Sequence, residues 1–412
     1  MTTHKGTLCI KTVKQLQVDP GISPTCDFSL GEALAQVYPL LDLIFEYLPL
    51  GDLKCCLEVS TTWKETAEQI LDRRVAPSWF TCFKVGAKGC KSNTILHSPN
   101  LNFNNVEMGF ILYDSLQLEL NAYICLHRNT SGLSRKSVPD YLEDELVPKS
   151  VNYCMLAVDR VVSIFNTKRN MKEVEYHGSI FDGVFFPKVP SIRTVLFHCD
   201  ISNRKTVQAT VRKQIRRNEE PKCILIFTKY KAERGIQFLL KCLVPDEDVN
   251  SVAFGGGIIR GSRMFHRNAN DEIFPFEDTM CILFLKDEDY KENNFEAFSC
   301  VISEKQTEEE FNSQLQHFKE NIKLKHHSLG FRISCSSDLQ ETELEAFQAT
   351  FPGLPLLGVY AAGELGWNCY PNALNLEPNV APSKPKRLRK TVELPRVLNY
   401  FSTIFVLLTW DK

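Results

Sequence analysis

Short apolar runs recur along most of this chain and constrain its fold more than any other sequence feature. Each run has three to six residues and ends at turn-forming or charged residues. They are Gly109–Tyr113, Ala122–Leu126, Cys154–Val158, Thr194–Phe197, Cys223–Phe227, Val252–Phe254, Met280–Leu285 and Leu329–Ile333. Runs of this length are typical of β-strands buried in a sheet. The sequence therefore predicts a strand-rich domain beyond residue 79.

Two amphipathic stretches near the end of this region predict helices. Phe311, Leu315 and Phe318 fall on one helical face, and Thr307 with Glu310 fits a capping box. Residues 338–350 show a similar spacing. Because strands outnumber helices and the two do not alternate strictly, the expected fold class is α+β rather than doubly wound α/β.

The last apolar run, Val397–Trp410, predicts a terminal strand buried in a sheet. It is shorter than the roughly 20 residues that a bilayer-spanning helix needs, and Asn399, Ser402 and Thr403 interrupt it. Its β-branched and aromatic residues favour a strand. We therefore expect no membrane partner for this segment.

The charge balance argues against nucleic-acid binding by bulk charge. The chain carries 48 Lys and Arg against 50 Asp and Glu, a formal net charge of −2. No general cationic excess is available to neutralise phosphates, so no direct nucleic-acid binding is expected. The 15 cysteines include no Cys-x-x-Cys pair, and they are expected to be reduced, structural thiols. No metal and no cofactor are expected.

The segment Pro39–Arg74 has a different, helical character. Large apolar side chains follow at helical spacing: Leu40, Leu41, Ile44, Phe45 and Leu48. Pro49 is expected to end this helix, and Asp52 is a candidate N-cap for the next one. A module this small rarely buries so wide a stripe by itself. The stripe either packs on the rest of the chain or binds the helices of another protein.

The residues of this module resemble the F-box family. Ile44–Pro49 ends a first helix with aromatic-Leu-Pro, Gly51–Leu53 supplies Asp-Leu, and Val59–Trp63 matches the family's Val-Cys-x-x-Trp with Ser60 in place of Cys. The family's opening Leu-Pro is replaced by Gln36-Val37. The likeness extends from about residue 37 to residue 74.

This resemblance implies a partner and a set of interface residues. F-box helices dock on the Skp adaptor, S-phase kinase-associated protein 1, which joins them to a cullin–RING ubiquitin ligase. The positions that the resemblance assigns to the adaptor interface or to the module's scaffold are Leu41, Ile44, Phe45, Leu48, Pro49, Leu53, Val59 and Trp63.

A second resemblance concerns the rest of the chain. Phe351–Gly366 is similar to the C-terminal signature of FIST domains, Phe-Pro-x-x-Pro-Leu-x-Gly leading into Gly-Glu-Ile-Gly. Gly255–Gly257 and Leu329–Cys335 follow that family's order, whereas Ser336–Asp338 replaces its Gly-Arg-Gly-like turn. The two resemblances imply a tail at 1–34, a small all-helical F-box module at 35–78 and a large mixed α+β FIST-like domain at 79–412.

Two glycine segments are interpreted as tight turns beside a recognition surface. The candidate residues are Gly255, Gly256, Gly257, Gly363, Glu364 and Gly366. The first segment lacks the Lys-Ser/Thr of a phosphate-binding loop, so a structural turn is the favoured interpretation and another ligand stays open. Glu364 has no Ser-His or Cys-His partner at readable spacing, so no catalytic residue is assigned and the protein is not expected to be an enzyme.

A basic run follows the second glycine segment. Its cationic residues are Lys384, Lys386, Arg387, Arg389 and Lys390. The pattern fits a nuclear-import signal, and a solvated loop explains it equally well. Together with the absence of a secretory signal pattern, it suggests a cytoplasmic and nuclear location.

Three classes of function follow from these observations. The first is the substrate-recognition subunit of an SCF (Skp–cullin–F-box) ubiquitin ligase, which directs target proteins to proteasomal degradation. The second is a FIST-type protein that senses a small molecule, as this family does in bacteria. The third is an F-box scaffold that does not promote degradation.

Overall fold

The computed structural model confirms a mixed α+β fold. It describes residues 38–87, 90–114, 123–127, 133–137, 142, 146–147, 151–165, 179–229, 233–244, 249–259, 264–267, 273–276, 279–290, 294–303, 306–335, 340–373 and 394–411. Within these ranges there are seven α-helices and three mixed sheets, besides one two-stranded ribbon.

The secondary-structure elements follow one another along the chain as helices, then strands with helices between some of them. The helices are α1 (Tyr38–Phe45), α2 (Leu50–Cys56), α3 (Thr61–Arg73), α4 (Arg204–Gln214), α5 (Glu233–Leu243), α6 (Glu308–Asn321) and α7 (Gln340–Thr350). The strands are β1 (Ser78–Ala87), β2 (Cys90–His97), β3 (Val106–Asp114), β4 (Tyr123–His127), β5 (Leu133–Ser137), β6 (Asn152–Val158), β7 (Ser179–Pro187), β8 (Ile192–Cys199), β9 (Glu219–Thr228), β10 (Ala253–Ile258), β11 (Met264–Arg267), β12 (Ile273–Phe276), β13 (Thr279–Asp287), β14 (Phe295–Ser303), β15 (His327–Ser334), β16 (Leu356–Tyr360), β17 (Glu364–Gly366), β18 (Leu398–Asn399) and β19 (Ser402–Trp410).

The strands are arranged in three larger sheets with a common core. The seven-stranded sheet has the order β12-β11-β6-β3-β7-β1-β2, the six-stranded sheet β18-β17-β10-β9-β13-β8, and the four-stranded sheet β14-β19-β15-β16, while β4 and β5 pair alone. The ring of Phe110 in β3 lies 5.4 Å from that of Phe227 in β9 and 5.7 Å from that of Phe331 in β15. One residue of the first sheet thus contacts both other sheets.

The predicted strands and the predicted helix with the capping box are confirmed. Every short apolar run of the sequence overlaps a strand: β3, β4, β6, β8, β9, β10, β13 and β15. The capping box of α6 is present, because the Thr307 side chain accepts a hydrogen bond from Glu310 N and the Glu310 side chain accepts one from Thr307 N. Phe311, Leu315 and Phe318 are buried on one face of α6.

The sequence predicted one continuous terminal strand over Val397–Trp410. The structure instead divides this run into two strands. Leu398–Asn399 forms β18, which pairs with β17 in the six-stranded sheet. The chain then turns at Phe401, whose φ of 55° lies in the left-handed region, and continues as β19 in the four-stranded sheet. The expectation of a buried terminal strand is confirmed for β19, all of whose residues are buried.

The interpretation of Gly255–Gly257 as a turn is wrong. These glycines lie inside β10, a fully buried strand between β9 and β17. A Cβ on Gly256, whose φ is 151°, would lie 1.9 Å from the carbonyl oxygen of Ile226, and one on Gly255 would lie 2.3 Å from the Val406 side chain. Close approach of backbone and side chains, rather than a change of chain direction, requires glycine at these positions.

The second glycine segment is also strand rather than turn. Glu364–Gly366 forms β17, which pairs with β10 on one side and β18 on the other. A Cβ on Gly366 would lie 2.8 Å from the Ile404 side chain. Glu364 is fully buried. Gly363 and Gly366 are buried as well, so this segment does not offer the exposed backbone that a turn would.

Glu107 links the seven-stranded sheet to the edge of the six-stranded sheet. Its Oε1 accepts a hydrogen bond of 3.0 Å from the backbone N–H of Thr194 in β8. Its Oε2 is buried and has no hydrogen-bond partner among the described residues. Burial raises the pKa of Glu107 to about 7, although the Thr194 hydrogen bond and the charges of Lys188 and Arg193 oppose the rise.

We expect Glu107→Gln to stabilise the protein above neutral pH. A carboxyl group whose pKa is raised on folding stabilises the protein below its ordinary pKa of 4.5, and that contribution is lost as the pH rises through about 7. Glutamine keeps the acceptor for Thr194 without the buried charge. The free energy of unfolding should therefore rise by about 1–3 kcal/mol at pH 8 and change little at pH 5. Urea unfolding at both pH values measures this, and an unchanged pH dependence would contradict it.

Candidate protein-binding surface

The helices α1, α2 and α3 enclose a small core of their own. The buried residues of this core are Leu41, Phe45, Leu53, Cys56, Ala67 and Ile70. Phe45 from α1 meets Trp63 from α3 edge to face, with ring centroids 5.2 Å apart. Because Leu41 and Phe45 are four residues apart, they use one face of α1 for this core. The opposite face of α1 is left for other contacts.

The residues at the start of each of these helices explain where the helix begins. Pro39 stands in the first turn of α1, where its missing N–H costs nothing. Asp52 is not the N-cap of α2: the helix begins one turn earlier, after Pro49, because the fixed φ of proline sets the extended conformation before Leu50. At α3, the side-chain oxygen of Ser60 accepts a hydrogen bond of 3.3 Å from Trp63 N and caps the helix.

Two side chains fix the helical module to the sheets. Arg74 donates from Nη2 to the carbonyl oxygen of Phe45 at 2.9 Å and from Nη1 to that of Phe103 at 3.0 Å. Its guanidinium also lies over the Phe103 ring. From the last strand, Trp410 donates from Nε1 to the carbonyl oxygen of Val75 at 2.7 Å. The position of the helical module relative to the sheets is therefore set by buried and half-buried hydrogen bonds.

The outward face of the first helix is apolar and exposed. Leu40, Leu43, Ile44 and Tyr47 are 43%, 53%, 40% and 76% exposed, respectively. Their spacing places them along one side of α1 and its final turn. We call these four residues the α1 stripe. Val59, on the turn between α2 and α3, is also exposed, while the other exposed large apolar residues of the described chain are Tyr290, Tyr400 and Phe401.

The residues that the F-box resemblance selected divide into three groups. Leu41, Phe45 and Leu53 are buried in the module's core, Leu48 and Trp63 are half-buried, and Ile44, Pro49 and Val59 are exposed.

The sequence reasoning left three members of the α1 stripe out of its list of interface residues: Leu40, Leu43 and Tyr47. A signal for them was present, because apolar residues at 40, 41, 43, 44, 45 and 47 cannot all share one helical face. Residues 41 and 45 form one face and residues 40, 43, 44 and 47 the other. The excess width of the apolar pattern thus indicates a second, outward face.

Acidic residues predominate in the helical module that carries the α1 stripe. Residues 38–73 contain seven acidic and three basic side chains. Arg73 at the end of α3 pairs with Asp42 at 3.1 Å and lies 3.8 Å from Glu46. Such a surface repels phosphate groups, which argues against nucleic acid or an acidic lipid as its partner. An apolar stripe with an acidic surround suits a protein helix that carries apolar and basic side chains.

The other candidate sites predicted from the sequence provide less evidence of a binding surface than the α1 stripe does. The six candidate residues of the glycine segments are buried in or beside β10 and β17, so a protein partner cannot reach them in this conformation. The basic run at 384–390 lies outside the described residues. In the described part of the chain, no group of three or more His, Cys, Asp or Glu side chains could hold a metal ion, and no helix is long and apolar enough to cross a membrane.

Comparison with known proteins does not assign the chain to a family. No family model matches it, and no curated protein matches it either. The α1 stripe and the residue pattern of the helical module are therefore the features that bear on function.

Proposed function

We propose that this protein is the substrate-recognition subunit of an SCF-type ubiquitin ligase. The helical module docks on the Skp adaptor, and through it on a cullin–RING ligase, while the large domain binds the proteins to be ubiquitinated. The observation that carries the proposal is the α1 stripe, an exposed apolar face on a small module that already has a closed core of its own. Burial of that face against adaptor helices would supply the hydrophobic free energy of docking.

The attachment of the module to the large domain supports the same role. A receptor subunit performs no chemistry and acts by placing its substrate near the ligase. Arg74 and Trp410 join the module to the sheets by hydrogen bonds, which limits how far a substrate held by the large domain could move relative to the adaptor. The effective concentration of the bound substrate near the ligase then depends on this fixed geometry rather than on the length of a flexible linker.

Co-purification from cells under proteasome inhibition tests the proposal. The bait is the full chain, compared with a Leu43→Asp/Ile44→Asp variant and with a Tyr290→Asp control. Tyr290 is 44% exposed, close to the 40% of Ile44, and lies outside the module. We expect adaptor and cullin with the wild type and the control but not with the double variant, which should instead retain unmodified substrates. Equal recovery of cullin by all three proteins would contradict the proposal.

Two alternatives predict different results in the same experiment. A non-degradative F-box scaffold recovers adaptor and cullin, but its bound partners do not accumulate when the protein is removed from cells. A FIST-type small-molecule sensor recovers neither.

A further inference from the structure

The helices α4 and α5 carry a strongly basic surface. Each crosses between parallel strands of the six-stranded sheet, α4 from β8 to β9 and α5 from β9 to β10, and the two helices contact each other. Their exposed charged residues are all cationic except Glu233. We call the six cations the basic face: Arg204, Lys205, Arg212, Lys213, Arg234 and Lys241.

Contacts between the two helices join their cations into one surface. The Arg204 guanidinium of α4 lies 5.0 Å from the centre of the Phe238 ring of α5. Towards the other end of α4, Arg212 is close to Cys242 of α5: burial raises the pKa of that thiol, and the charge of Arg212 opposes the rise. Arg204 and Arg212 therefore both lie on the side of α4 that borders α5, with the half-buried Phe238 ring beside them.

The charge pattern of α4 departs from the one that favours helix stability. Arg204 and Lys205 follow the N-cap Asn203 and stand in the first turn, where the positive end of the helix dipole disfavours cations. No acidic residue of that turn offsets them. Arg212 and Lys213 stand in the last turn, where the dipole favours cations. The first-turn cations thus break a local rule without a gain for the helix, which is expected of residues that serve a function.

The described residues do not neutralise the basic face. None of its six cations forms an ion pair with an Asp or Glu side chain in the described part of the chain. Glu233 instead accepts a hydrogen bond of 3.2 Å from Gln237. Glu219, which follows α4 in the chain, pairs with Arg193 and Arg216. The basic face therefore presents positive charge to the solvent, and a partner of complementary charge is acidic.

We propose that the basic face binds a segment of another protein that is rich in Asp and Glu. Arg204 and Arg212 are eight residues apart, which separates them by about 12 Å along α4. Cations spread along a line match successive carboxylates of a peptide better than one phosphate group, which needs donors that converge on a point. The formal net charge of −2 argues against nucleic acid. Under the proposed function, on which this last step rests, the acidic segment belongs to a substrate.

Fluorescence anisotropy of a labelled peptide, titrated with the purified full chain at low ionic strength, tests the basic face. The probe is a fluorescein-labelled peptide in which Glu alternates with Ser. The comparison probes are the same peptide with Gln in place of Glu and a single-stranded oligonucleotide of similar charge. We expect saturable binding of the Glu peptide alone, and its affinity should fall as sodium chloride is added, because salt screens exposed charges.

Two double variants locate the binding on the protein. Arg204→Gln/Arg212→Gln should weaken binding of the Glu peptide about fivefold, since each exposed ion pair contributes modestly. Lys319→Gln/Lys323→Gln removes two exposed cations on and just after α6 and should bind the Glu peptide as the wild type does. All of these side chains are exposed, so the melting temperatures should match. Arg212→Gln alone, with a smaller loss of affinity, decides if the first double variant fails to fold.

Several outcomes would overturn the proposal. They are no saturable binding of the Glu peptide by the wild type, unchanged affinity in the folded Arg204→Gln/Arg212→Gln variant, and an equal loss in the α6 control. Tighter binding of the oligonucleotide than of the Glu peptide would overturn the choice of a protein segment. The Skp adaptor is absent from these titrations, so failure of the basic face and failure of adaptor docking are separate results.

Discussion

A chain that ends after Pro382 should no longer unfold cooperatively, because it lacks β19. This strand lies between β14 and β15, and it pairs with β14 over nine residues, from Phe295↔Trp410 to Ser303↔Ser402. It pairs with β15 from His327↔Trp410 to Ser334↔Thr403. Removing it would leave the facing backbone groups of two strands without partners. It would also remove an entirely buried row of side chains from the common core.

Trp410 makes the effect of this truncation larger. Its ring is fully buried and its centroid lies 4.9 Å from that of Phe186 in the seven-stranded sheet, and its Nε1 donates to Val75. Differential scanning calorimetry of the truncated chain should show no cooperative transition. A deletion of residues 1–30, equal in length and predicted to be a tail, is the matched control and should melt cooperatively. A truncated chain that melts like the wild type would contradict the central position of β19.

Glu343→Met should destabilise the protein by about 3–5 kcal/mol, because it leaves the buried guanidinium of Arg332 without its carboxylate. Arg332 is 0% exposed and Glu343 4% exposed, so water cannot replace the lost partner without opening the structure. The Thr403 hydroxyl would lose its acceptor as well. Guanidinium unfolding followed by circular dichroism measures the change in the free energy of unfolding.

The double variant Arg332→Met/Glu343→Met is the control for this prediction. Replacing both members of a buried ion pair by apolar residues is often neutral or stabilising. We expect the double variant to recover most of the stability lost by Glu343→Met. A single variant as stable as the wild type, or a double variant less stable than the single one, would show that the pair is not the buried unit described above.

The strands of the fold were predictable because buried strands leave a local signal. A run such as Cys223–Phe227 is apolar at every position. A run this short favours a strand, because helices are longer than strands. The capping box of α6 was predictable for the same reason, since Thr307 and Glu310 are close in sequence. Both features depend on neighbours along the chain and not on distant contacts.

The glycines of β10 could not be interpreted correctly from the sequence. Gly256 is required because Ile226, from the neighbouring strand, approaches its backbone, and Gly255 because Val406 of β19 packs against it. Both partners are distant in sequence. A glycine needed for close packing and a glycine needed for a turn look alike until the third dimension is known.

The buried ion pair of Arg332 in β15 and Glu343 in α7 was equally hidden. Arg332 stands in the apolar run Leu329–Ile333, where a single charge suggests an exposed position. Its partner Glu343 follows eleven residues later, across the connection from β15 to α7, so the pair has no helical spacing. The α1 stripe was partly predictable from the sequence. The helix has too many apolar residues for one face, but the sequence does not show which of them point outward.

The most direct test of the proposed function is the affinity of the purified full chain for the purified Skp adaptor. We expect titration calorimetry to show that Leu43→Asp/Ile44→Asp weakens binding by at least about 100-fold, because both residues belong to the apolar centre of the stripe. The Tyr290→Asp control should bind as the wild type does, and all three proteins should melt at similar temperatures, since the substituted side chains are exposed. An affinity of the folded double variant within twofold of the wild type, or no binding by the wild type, would contradict the account.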